Sequence, residues 1–354
     1  MSRIRRISSL DELEELASNW DELLNMRNQE QGIFQSYDWC RNAWDCILED
    51  LKDELYVLVW RQEKADDMVI FPFCLDRNGV LRFIMDEHSD YCDCVYVLGH
   101  NHHLAYKEAL EFIRADNRVK QICLHKMDGN SEALNYFAAL APQSVISKEN
   151  TYSWIDVTPT DDFAASQPQL RSKDKANVRA IRRKAEKYEL VVQKGGDSNY
   201  PAEDIDTLID SMRRSGRRQE SFMSDGLKRF CRRLFESGRA DIVKLVDSAG
   251  AVAAINFILR MRSRRLSWIF LYADPHASTE LYVKYFYSEA ANEPFVFDFG
   301  TGGYEYKLGT FRPCTRALFG LNISLDKKLT IRLDFYRLIC SAKRFVKSLL
   351  QCVK

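Results

Sequence analysis

The sequence predicts an α+β protein whose sheets are mixed, largely antiparallel and flanked by helices. The chain has 354 residues, about twice the size of an ordinary domain, so we expect two packed domains. Each half begins with helical segments, continues with short apolar runs typical of strands, and then adds a helix and another strand. This order lacks the regular alternation of a doubly wound parallel sheet. It suggests a diverged duplication, although no residue-level repeat is visible.

The first half begins with two predicted helices. Residues Ser9–Leu24 place leucine and tryptophan at helical spacing, with Ser9 and Glu12 arranged as a capping box. Residues Tyr37–Leu51 form the second helix, which has an aromatic face. Beyond it, strands are predicted over 54–60 and 68–74 as an antiparallel hairpin, and over 79–85, 94–98, 119–125 and 152–157, with helices over 104–116 and 131–140.

The second half follows residues 159–168, where two prolines and Thr160-Asp-Asp predict a linker. A strongly basic helix is predicted next, over 170–188. The remaining predictions are helices over 204–215, 226–237 and 280–291, and strands over 190–193, 240–248, 251–261, 267–273 and 295–299.

Composition excludes several classes of protein. Apolar residues make up 46% and charged residues 29% of the chain, so it is neither low-complexity nor disordered. No uncharged apolar run reaches the roughly 18 residues of a membrane-spanning helix, and no apolar signal core follows the first residues. The ten cysteines include no Cys-x-x-Cys pair. We therefore expect a cytoplasmic protein with reduced thiols and no metal.

The net charge of zero conceals an asymmetry between the halves. Residues 1–165 carry 16 Lys and Arg against 30 Asp and Glu, whereas residues 166–354 carry 35 against 21. Two explanations stay open: the halves attract each other across an interface, or the basic half meets an anion such as phosphate, nucleic acid or a lipid surface.

The most unusual segment, residues 295–309, begins as a strand and stops at a glycine-rich bend. Its bend and the residues on either side carry three glycines, two acids, two tyrosines and a lysine, namely Gly300, Gly302, Gly303, Asp298, Glu305, Tyr304, Tyr306 and Lys307. The glycines allow a sharp turn that brings backbone N–H groups near a ligand. An acid here can accept a proton, a tyrosine can donate one, and the lysine can neutralise developing negative charge. The alternative is a tight turn capped by a buried aspartate.

This segment resembles a known family signature. Asp298-Phe-Gly-Thr-Gly followed by Tyr306-Lys307 is similar to the "DFG-x-G … YK" signature of the BioF2-like acetyltransferase domain. That domain is a branch of the GNAT superfamily, related to Fem-type aminoacyl-transferases and found in polysaccharide-biosynthesis acyltransferases. Three further stretches, over residues 34–39, 89–91 and 172–187, resemble the family's "F-Q-S-x-x-W", "S-D-Y" and basic-helix motifs in the same order.

The resemblance implies a tandem pair of GNAT-like domains with an acyl donor in the cleft of the second. We expect an N-terminal domain over 1–158, a linker over 159–169, a C-terminal catalytic domain over 170–325 and a basic tail over 326–354. An acceptor amine would attack the thioester, and an acid can protonate the leaving thiolate. The positions carried over from the family are Lys307, Asp298 and Asp90.

The stretch expected to bind the pyrophosphate of coenzyme A departs from the family pattern. The family has a glycine-rich loop before a helix, whereas residues 272–281 contain no glycine. Ser278 and Thr279 offer hydroxyls to phosphate, although the ordinary role of such residues is a helix N-cap. Tyr272, His276, Gly300 and Gly302 complete the expected donor site.

Two basic segments suggest anionic partners. Residues 171–187 carry eight Lys and Arg and two acids, which suits the backbone of transfer RNA or a solvated helix opposite the acidic domain. Residues 333–354 alternate apolar and basic side chains, which suits docking onto the second domain or peripheral contact with the inner membrane face. His100, His102 and His103 resemble a metal cluster but are expected to form a loop.

These observations predict a GNAT-type acyltransferase, N- or O-linked, that uses acetyl-coenzyme A or another acyl-coenzyme A. The expected acceptor is an amine or hydroxyl of a small or lipid-linked sugar, as in a cell-envelope or exopolysaccharide precursor. Two alternatives stay open: a Fem-type transferase that depends on aminoacyl-transfer RNA, and a catalytically degenerate pair that only binds a ligand or partner.

Overall fold

A computed structural model describes residues 3–26, 32–62, 68–97, 102–197, 202–216, 222–273 and 275–326, with backbone alone at 305 and 306. The elements before residue 160 are eight strands and five helices among these residues. The strands are β1 (Ile4–Ile7), β2 (Glu54–Leu55), β3 (Val57–Arg61), β4 (Met68–Phe71), β5 (Phe73–Leu75), β6 (Val80–Phe83), β7 (Gln121–Asp128) and β8 (Val145–Val157). The helices are α1 (Leu10–Glu15), α2 (Ala17–Met26), α3 (Tyr37–Ala43), which continues as a π-helical turn (Trp44–Leu48), α4 (His103–Ala115) and α5 (Glu132–Leu140).

The elements after residue 160 repeat the general order of helices followed by strands. The helices are α6 (Phe163–Ser166), α7 (Ser172–Lys184), α8 (Ala202–Arg214), α9 (Asp225–Glu236), α10 (Pro275–Glu289) and α11 (Glu305–Phe311). The strands are β9 (Glu189–Gln193), β10 (Ala240–Val246), β11 (Val252–Met261), β12 (Arg264–Tyr272), β13 (Phe295–Thr301) and β14 (Cys314–Ser324).

The larger of the two sheets in the described residues has eleven strands, in the order β2-β5-β6-β7-β14-β8-β13-β12-β11-β10-β9. A second, smaller sheet contains β1, β3 and β4. Only two strand pairs in the large sheet, β6–β7 and β12–β13, are parallel, and the other pairs are antiparallel. The predicted α+β class, with mixed and largely antiparallel sheets flanked by helices, is confirmed.

The two halves of the chain exchange strands at the centre of the large sheet. β8, from the first half, pairs with β13, whereas β14, from the end of the described chain, pairs with β7. β8 and β14 also pair with each other, so strands of both halves form one continuous sheet. The domain boundaries expected from the sequence stay predictions. The segment expected to be a linker, residues 159–169, contains the helix α6, and the side chain of Phe163 in this helix is fully buried.

Serine residues cap several helices, as the sequence predicts for Ser9. The side chains of Ser9, Ser36, Ser131 and Ser224 each accept a hydrogen bond from the backbone N–H three residues later, which satisfies one otherwise unpaired donor of the first turn. The predicted helix over Ser9–Leu24 is two helices, and the carboxylate of Glu12 accepts from the N–H of Ser8 rather than of Ser9.

The predicted antiparallel hairpin is confirmed: β3 pairs with β4 in the small sheet, and β2 pairs with β5 in the large one. One strand prediction needs correction. Residues 94–97 form no strand, and Val95 makes a single bridge to Ile70. The described ranges contain no helix with the length and apolar composition that crossing a membrane requires. The basic tail predicted over 333–354 lies outside the described residues.

An aromatic cluster joins the first half of the chain to the second. Trp39 of α3 makes edge-to-face contacts with Phe230 of α9, at a centroid distance of 4.8 Å, and with Trp268 of β12, at 5.1 Å. Such ring pairs contribute about 0.5–1.5 kcal/mol beyond their buried area. The helices of both halves therefore pack on the face of β11 and β12, next to the end of the β12–β13 pair.

Candidate active site

The parallel strands β12 and β13 part after a short paired stretch. Their register runs from Arg264 opposite Val296 to Leu266 opposite Asp298 and goes no further. β12 continues to Tyr272, paired only with β11, while β13 continues to Thr301. Backbone groups of β12 that face away from β11 beyond Leu266 therefore line an opening between two strands of one sheet.

A bulge in β12 lies at the start of this opening. Ser267 is opposite Ile258 and Ile269 is opposite Phe257, so Trp268 is the extra residue. A bulge re-aims side chains and increases the local twist of the strand. The Trp268 indole Nε1 donates to the carbonyl oxygen of His88 at 2.7 Å, which ties β12 to the first half of the chain.

A cavity of about 610 Å³ occupies the opening and extends between the two halves. Its second-half walls come from β12, β13, α8, α10 and the bend after β13, whereas the first half contributes Glu87, His88, Asp90, Lys126 and Asn150. The volume is in the usual range for a small-molecule site. Of the predicted site residues, Asp90, Tyr272, Gly302, Tyr304 and Lys307 line this cavity.

Asp90 lies against the glycine bend. Its Oδ1 accepts from the hydroxyl of Thr301 at 2.7 Å. A Cβ on Gly300 would lie 2.3 Å from Asp90 Oδ2 and 3.2 Å from the carbonyl oxygen of Ser267, and Gly300 has φ +69°. Both the close approach and the left-handed backbone therefore require glycine here. The carboxylate of Asp90 stands at the point where β12 and β13 part.

Asp298 does not line the cavity. It has no exposed surface, and its carboxylate is held by Arg264 Nη1 at 2.6 Å, the Tyr91 hydroxyl at 3.1 Å and the N–H of Gly300 at 2.8 Å. Burial raises the pKa of Asp298 and the Arg264 guanidinium opposes that shift. The predicted proton acceptor Asp298 therefore lies away from the cavity. Its carboxylate links β12, β13 and Tyr91 of the first half and caps the bend.

Lys307 lies in the first turns of α11 and is 4% exposed. Its Nζ donates to the carbonyl oxygens of Phe299 at 2.5 Å and Thr301 at 3.4 Å. Burial lowers the pKa of Lys307 to about 8, against the opposing effect of Asp90 and Asp298. The ammonium thus fastens the bend and supplies a positive charge at the cavity floor.

The neighbouring tyrosine and acid of the predicted signature divide into two groups. Tyr304 is 55% exposed and its ring lies 5.0 Å from Lys307 Nζ, so it covers the lysine from the solvent side. Glu305 and Tyr306 belong to α11 by their backbone, and their side chains lie outside the description.

The expected phosphate loop is a helix turn. α10 begins at Pro275, five residues before the predicted start, so Ser278 and Thr279 are inside the helix and are not N-caps. Their hydroxyls donate to the carbonyls of Pro275 at 2.7 Å and His276 at 3.0 Å, as serine and threonine often do within helices. Tyr272 lines the cavity, whereas His276, Ser278 and Thr279 are not among its lining residues.

Several cavity residues were not predicted from the sequence. Ser267, Trp268 and Tyr282 come from β12 and α10, and His88 stacks on Phe222 with the ring centroids 3.8 Å apart. Lys126 Nζ donates to the carbonyl oxygens of residues 86, 87 and 89 at 2.7–3.2 Å, which fixes the loop that presents Asp90. These contacts join residues far apart in the chain, and no local pattern marks them.

The described residues contain no group of three or more metal-ligating side chains. His102 is buried and its Nδ1 lies 2.9 Å from Glu132 Oε2, whereas His103 begins α4 and His100 lies outside the description. On α7, Arg171, Lys173, Arg182, Arg183 and Lys184 are exposed. The basic helix therefore presents cations to solvent, whichever partner it meets.

Comparison with protein families gives one match. Residues 172–308 match the family model described as an acetyltransferase (GNAT) domain. No curated protein matches the sequence.

Solved structures resemble the chain over most of its length. The C-terminal domain of a putative lysylphosphatidylglycerol synthetase from Agrobacterium fabrum has a TM-score of 0.57 at 8% identity, covering 90% of this chain and 93% of that one. A tandem GNAT protein from the clavulanic acid biosynthesis pathway has a TM-score of 0.53 at 13% identity, covering 91% and 99%. L-PGS from Bacillus licheniformis has a TM-score of 0.52 at 13% identity, covering 78% and 87%. At these identities the likeness concerns the fold alone.

Proposed function

We propose that this chain transfers an acyl group from acyl-coenzyme A to an amine or hydroxyl, because its residues 172–308 match the family model described as an acetyltransferase (GNAT) domain. The observation that carries the proposal is the parting of β12 and β13 beside Asp90 and above Lys307, in a cavity of about 610 Å³.

The donor fits the second-half side of the cavity. A thioester carbonyl placed in the opening would meet backbone N–H groups of β12 beyond Leu266 that no longer pair with β13. Fixed donors of this kind stabilise an oxyanion because they need no reorganisation during the reaction. Lys307 adds a buried positive charge to the floor of the same cavity.

The acceptor fits the first-half side. Asp90 presents a carboxylate at the parting point, and its Oδ1 accepts a hydrogen bond from the Thr301 hydroxyl. A carboxylate in hydrogen-bond reach of the nucleophile can take its proton as the acyl group transfers, which is worth about 10²–10⁴-fold in rate. An envelope or exopolysaccharide precursor is the acceptor class that we propose, and peripheral contact with the inner membrane face through residues 333–354 belongs to the same proposal.

A second donor is favoured by one specific observation. The turn before and within the start of α10 offers no glycine, and Ser278 and Thr279 bond to their own helix. That turn lacks the usual cradle for the pyrophosphate of coenzyme A. Aminoacyl-transfer RNA, met by the exposed cations of α7, is therefore the alternative donor.

Calorimetric titration of the full chain with acetyl-coenzyme A and desulfo-coenzyme A tests the proposal. We expect one site with micromolar affinity for both compounds, because desulfo-coenzyme A keeps the nucleotide and lacks only the thiol. Absence of binding to either compound would contradict the coenzyme A donor. Salt-dependent binding of transfer RNA would then support the second donor, whereas no binding of RNA either would favour a protein that only binds another ligand.

A further inference from the structure

The cavity has an apolar wall that the proposed chemistry does not use. Five lining residues belong to one hydrophobic cluster or pack against it, namely Met212 of α8, Phe222 and Met223 before α9, and Trp268 and Ile269 of β12. The polar lining residues, among them Asp90 and Lys307, lie elsewhere in the cavity. An apolar wall is stabilised when an apolar ligand displaces water from it, so this wall indicates a ligand with apolar surface.

Hydrogen bonds and a ring stack hold the wall together. Arg213 Nε, in the last turn of α8, donates to the carbonyl oxygen of Met223 at 2.8 Å. Phe222 stacks on the ring of His88, and the carbonyl oxygen of His88 accepts from Trp268 Nε1. Three separate segments of the chain are therefore fixed around one apolar surface, which is formed before any ligand arrives.

The wall begins where β12 and β13 part. Trp268 and Ile269 directly follow Ser267, the first residue of β12 beyond the pairing with β13. Because a strand advances about 3.3 Å per residue, Ile269 lies within about 7 Å, along the strand, of the place proposed for the thioester carbonyl. The first carbons of an acyl group held there would already reach the wall.

The opening connects the two faces of the sheet. Consecutive residues of a strand face opposite sides: Ile269 packs in the cluster that contains Met212, whereas Phe270 contacts Tyr282 of α10. Ile269, Phe270 and Tyr282 all line the cavity. A donor that enters on the α10 side would therefore direct its acyl group through the opening to the apolar wall on the α8 side.

The cavity has room for more than an acetyl group. At about 30 Å³ for each water-sized group, a cavity of about 610 Å³ holds about twenty such groups. We propose that the transferred acyl group is an unbranched fatty acyl chain of medium length, and that Met212, Met223 and Ile269 determine the length accepted. This inference rests on the proposed function and names the class of its donor. Methionine suits the role because its flexible thioether adapts to an alkyl chain.

Calorimetric titration of the full chain with acetyl-, butyryl- and hexanoyl-coenzyme A tests the inference. We expect affinity to increase along the series by about fourfold for each methylene that reaches the wall. Equal or lower affinity for the hexanoyl compound would overturn the inference and leave the acyl-coenzyme A proposal intact. Failure of every member to bind would contradict the proposed donor and, with it, this inference.

Met212→Gln places a polar group in the wall at nearly constant size and helix propensity. We expect affinity for hexanoyl-coenzyme A to fall about 10-fold, while affinity for acetyl-coenzyme A stays within about twofold of the wild type. Met212→Leu, which keeps an apolar side chain, should retain the preference for the longer chain.

Met261→Gln is the matched control. Met261 is a buried methionine of the same cluster, at the end of β11, and it does not line the cavity. We expect this variant to bind both compounds as the wild type does. No loss by Met212→Gln, or an equal loss by Met261→Gln, would overturn the placement of the acyl chain against the wall.

An alkyl chain of the acceptor is the other possible occupant of the wall. Titration of the full chain with methylamine and hexylamine separates the two. Tighter binding of hexylamine, together with equal affinity across the acyl series, would assign the wall to the acceptor and overturn the inference.

Discussion

In both parallel strand pairs of the described structure, β6–β7 and β12–β13, the strands separate after a short paired stretch. The space between the separated strands is filled in the first pair and is a cavity in the second. In the first half, β6 and β7 pair only at Val80–Gln121 and Leu81–Ile122. Beyond that pair the chain itself lies against β7, because Cys92 N–H donates to the carbonyl oxygen of Lys126 at 3.0 Å. In the second half, the space beyond the β12–β13 pair is the cavity.

This difference shows that a segment of the first half shapes a wall of the cavity in the second half. Lys126 Nζ holds the carbonyls of residues 86, 87 and 89, and this fixed segment continues directly into Asp90. The segment that occupies the first opening therefore supplies a wall of the second. The first opening is filled by the chain itself, whereas the second is a cavity.

The largest effect should come from removing the buried charge at the base of the second opening. Asp298→Ala removes the buried carboxylate that accepts from the Arg264 guanidinium, whose side chain is 5% exposed. Breaking one side of a buried ion pair costs about 3–5 kcal/mol. Urea unfolding should show a loss of this size in the free energy of unfolding.

Asp53→Ala is the first-half control for that comparison. Asp53 also pairs with a partly buried arginine, Arg82, but Arg82 keeps Asp86 at 2.7 Å when Asp53 is removed. The loss should therefore be smaller, about 1–3 kcal/mol. An equal loss in the two variants would mean that the two openings are braced alike.

Lys307 should make stability depend on pH in the alkaline range. Its pKa is lowered by burial from 10.5 to about 8, so between these pH values the unfolded chain binds a proton that the folded chain lacks. Stability then rises with pH through this window and changes little from Lys307 below pH 8 or above 10.5. Lys307→Met should remove about 3 kcal/mol of this rise.

The measurement is urea unfolding of wild type and Lys307→Met from pH 7 to 11. Tyrosines and the other lysines titrate in both chains, so the difference between the two curves isolates Lys307. A difference that stays constant with pH would contradict a buried ammonium with a lowered pKa.

Asp90 should affect activity more than stability. Asp90→Asn keeps the size of the side chain and an acceptor for the Thr301 hydroxyl, but removes the proton-accepting carboxylate. We expect kcat/KM for acyl transfer to fall about 10²-fold with the urea midpoint unchanged. Glu87→Gln, on the same segment and lining the same cavity, should retain activity within a few-fold, and a matching loss there would mean that general charge matters instead.

The smallest effect concerns the glycine bend. Gly300 and Gly250 both have positive φ, +69° and +83°, but nothing lies within 4 Å of a Cβ added at Gly250. Gly250→Ala should cost about 1 kcal/mol from backbone strain alone. Gly300→Ala should cost about 1–3 kcal/mol and also displace Asp90, so acyl transfer should fall only in this variant. Thermal unfolding and initial rates together check both statements.

The sequence predicts the parts that depend on local physics. The Ser9 cap, the helical spacing of apolar residues and the glycine bend each act within a few residues, and the structure has them. β14 was not predicted, because its pairing partners β7 and β8 lie more than a hundred residues away in the chain. The predicted helix begins at residue 280, whereas α10 begins at Pro275, because proline fits the first turn of a helix as readily as a loop.

The site was predictable only in part for the same reason. The resemblance to the acetyltransferase signature predicts Asp90 and Lys307 as site residues, and both line one cavity. Ser267 and Tyr282 form a pair across 15 residues and two elements, and neither carries a motif. A tertiary hydrogen bond of this kind has no signature in composition or periodicity.

Hydrogen–deuterium exchange of the full chain with and without acetyl-coenzyme A tests the central contrast most directly. If the second opening takes the acyl donor, amides of residues 267–272 and 299–303 should become protected, while those of residues 121–126 beside the first opening should not change. Protection confined to the first half, or no protection of residues 267–303 under conditions of saturating binding, would contradict the account.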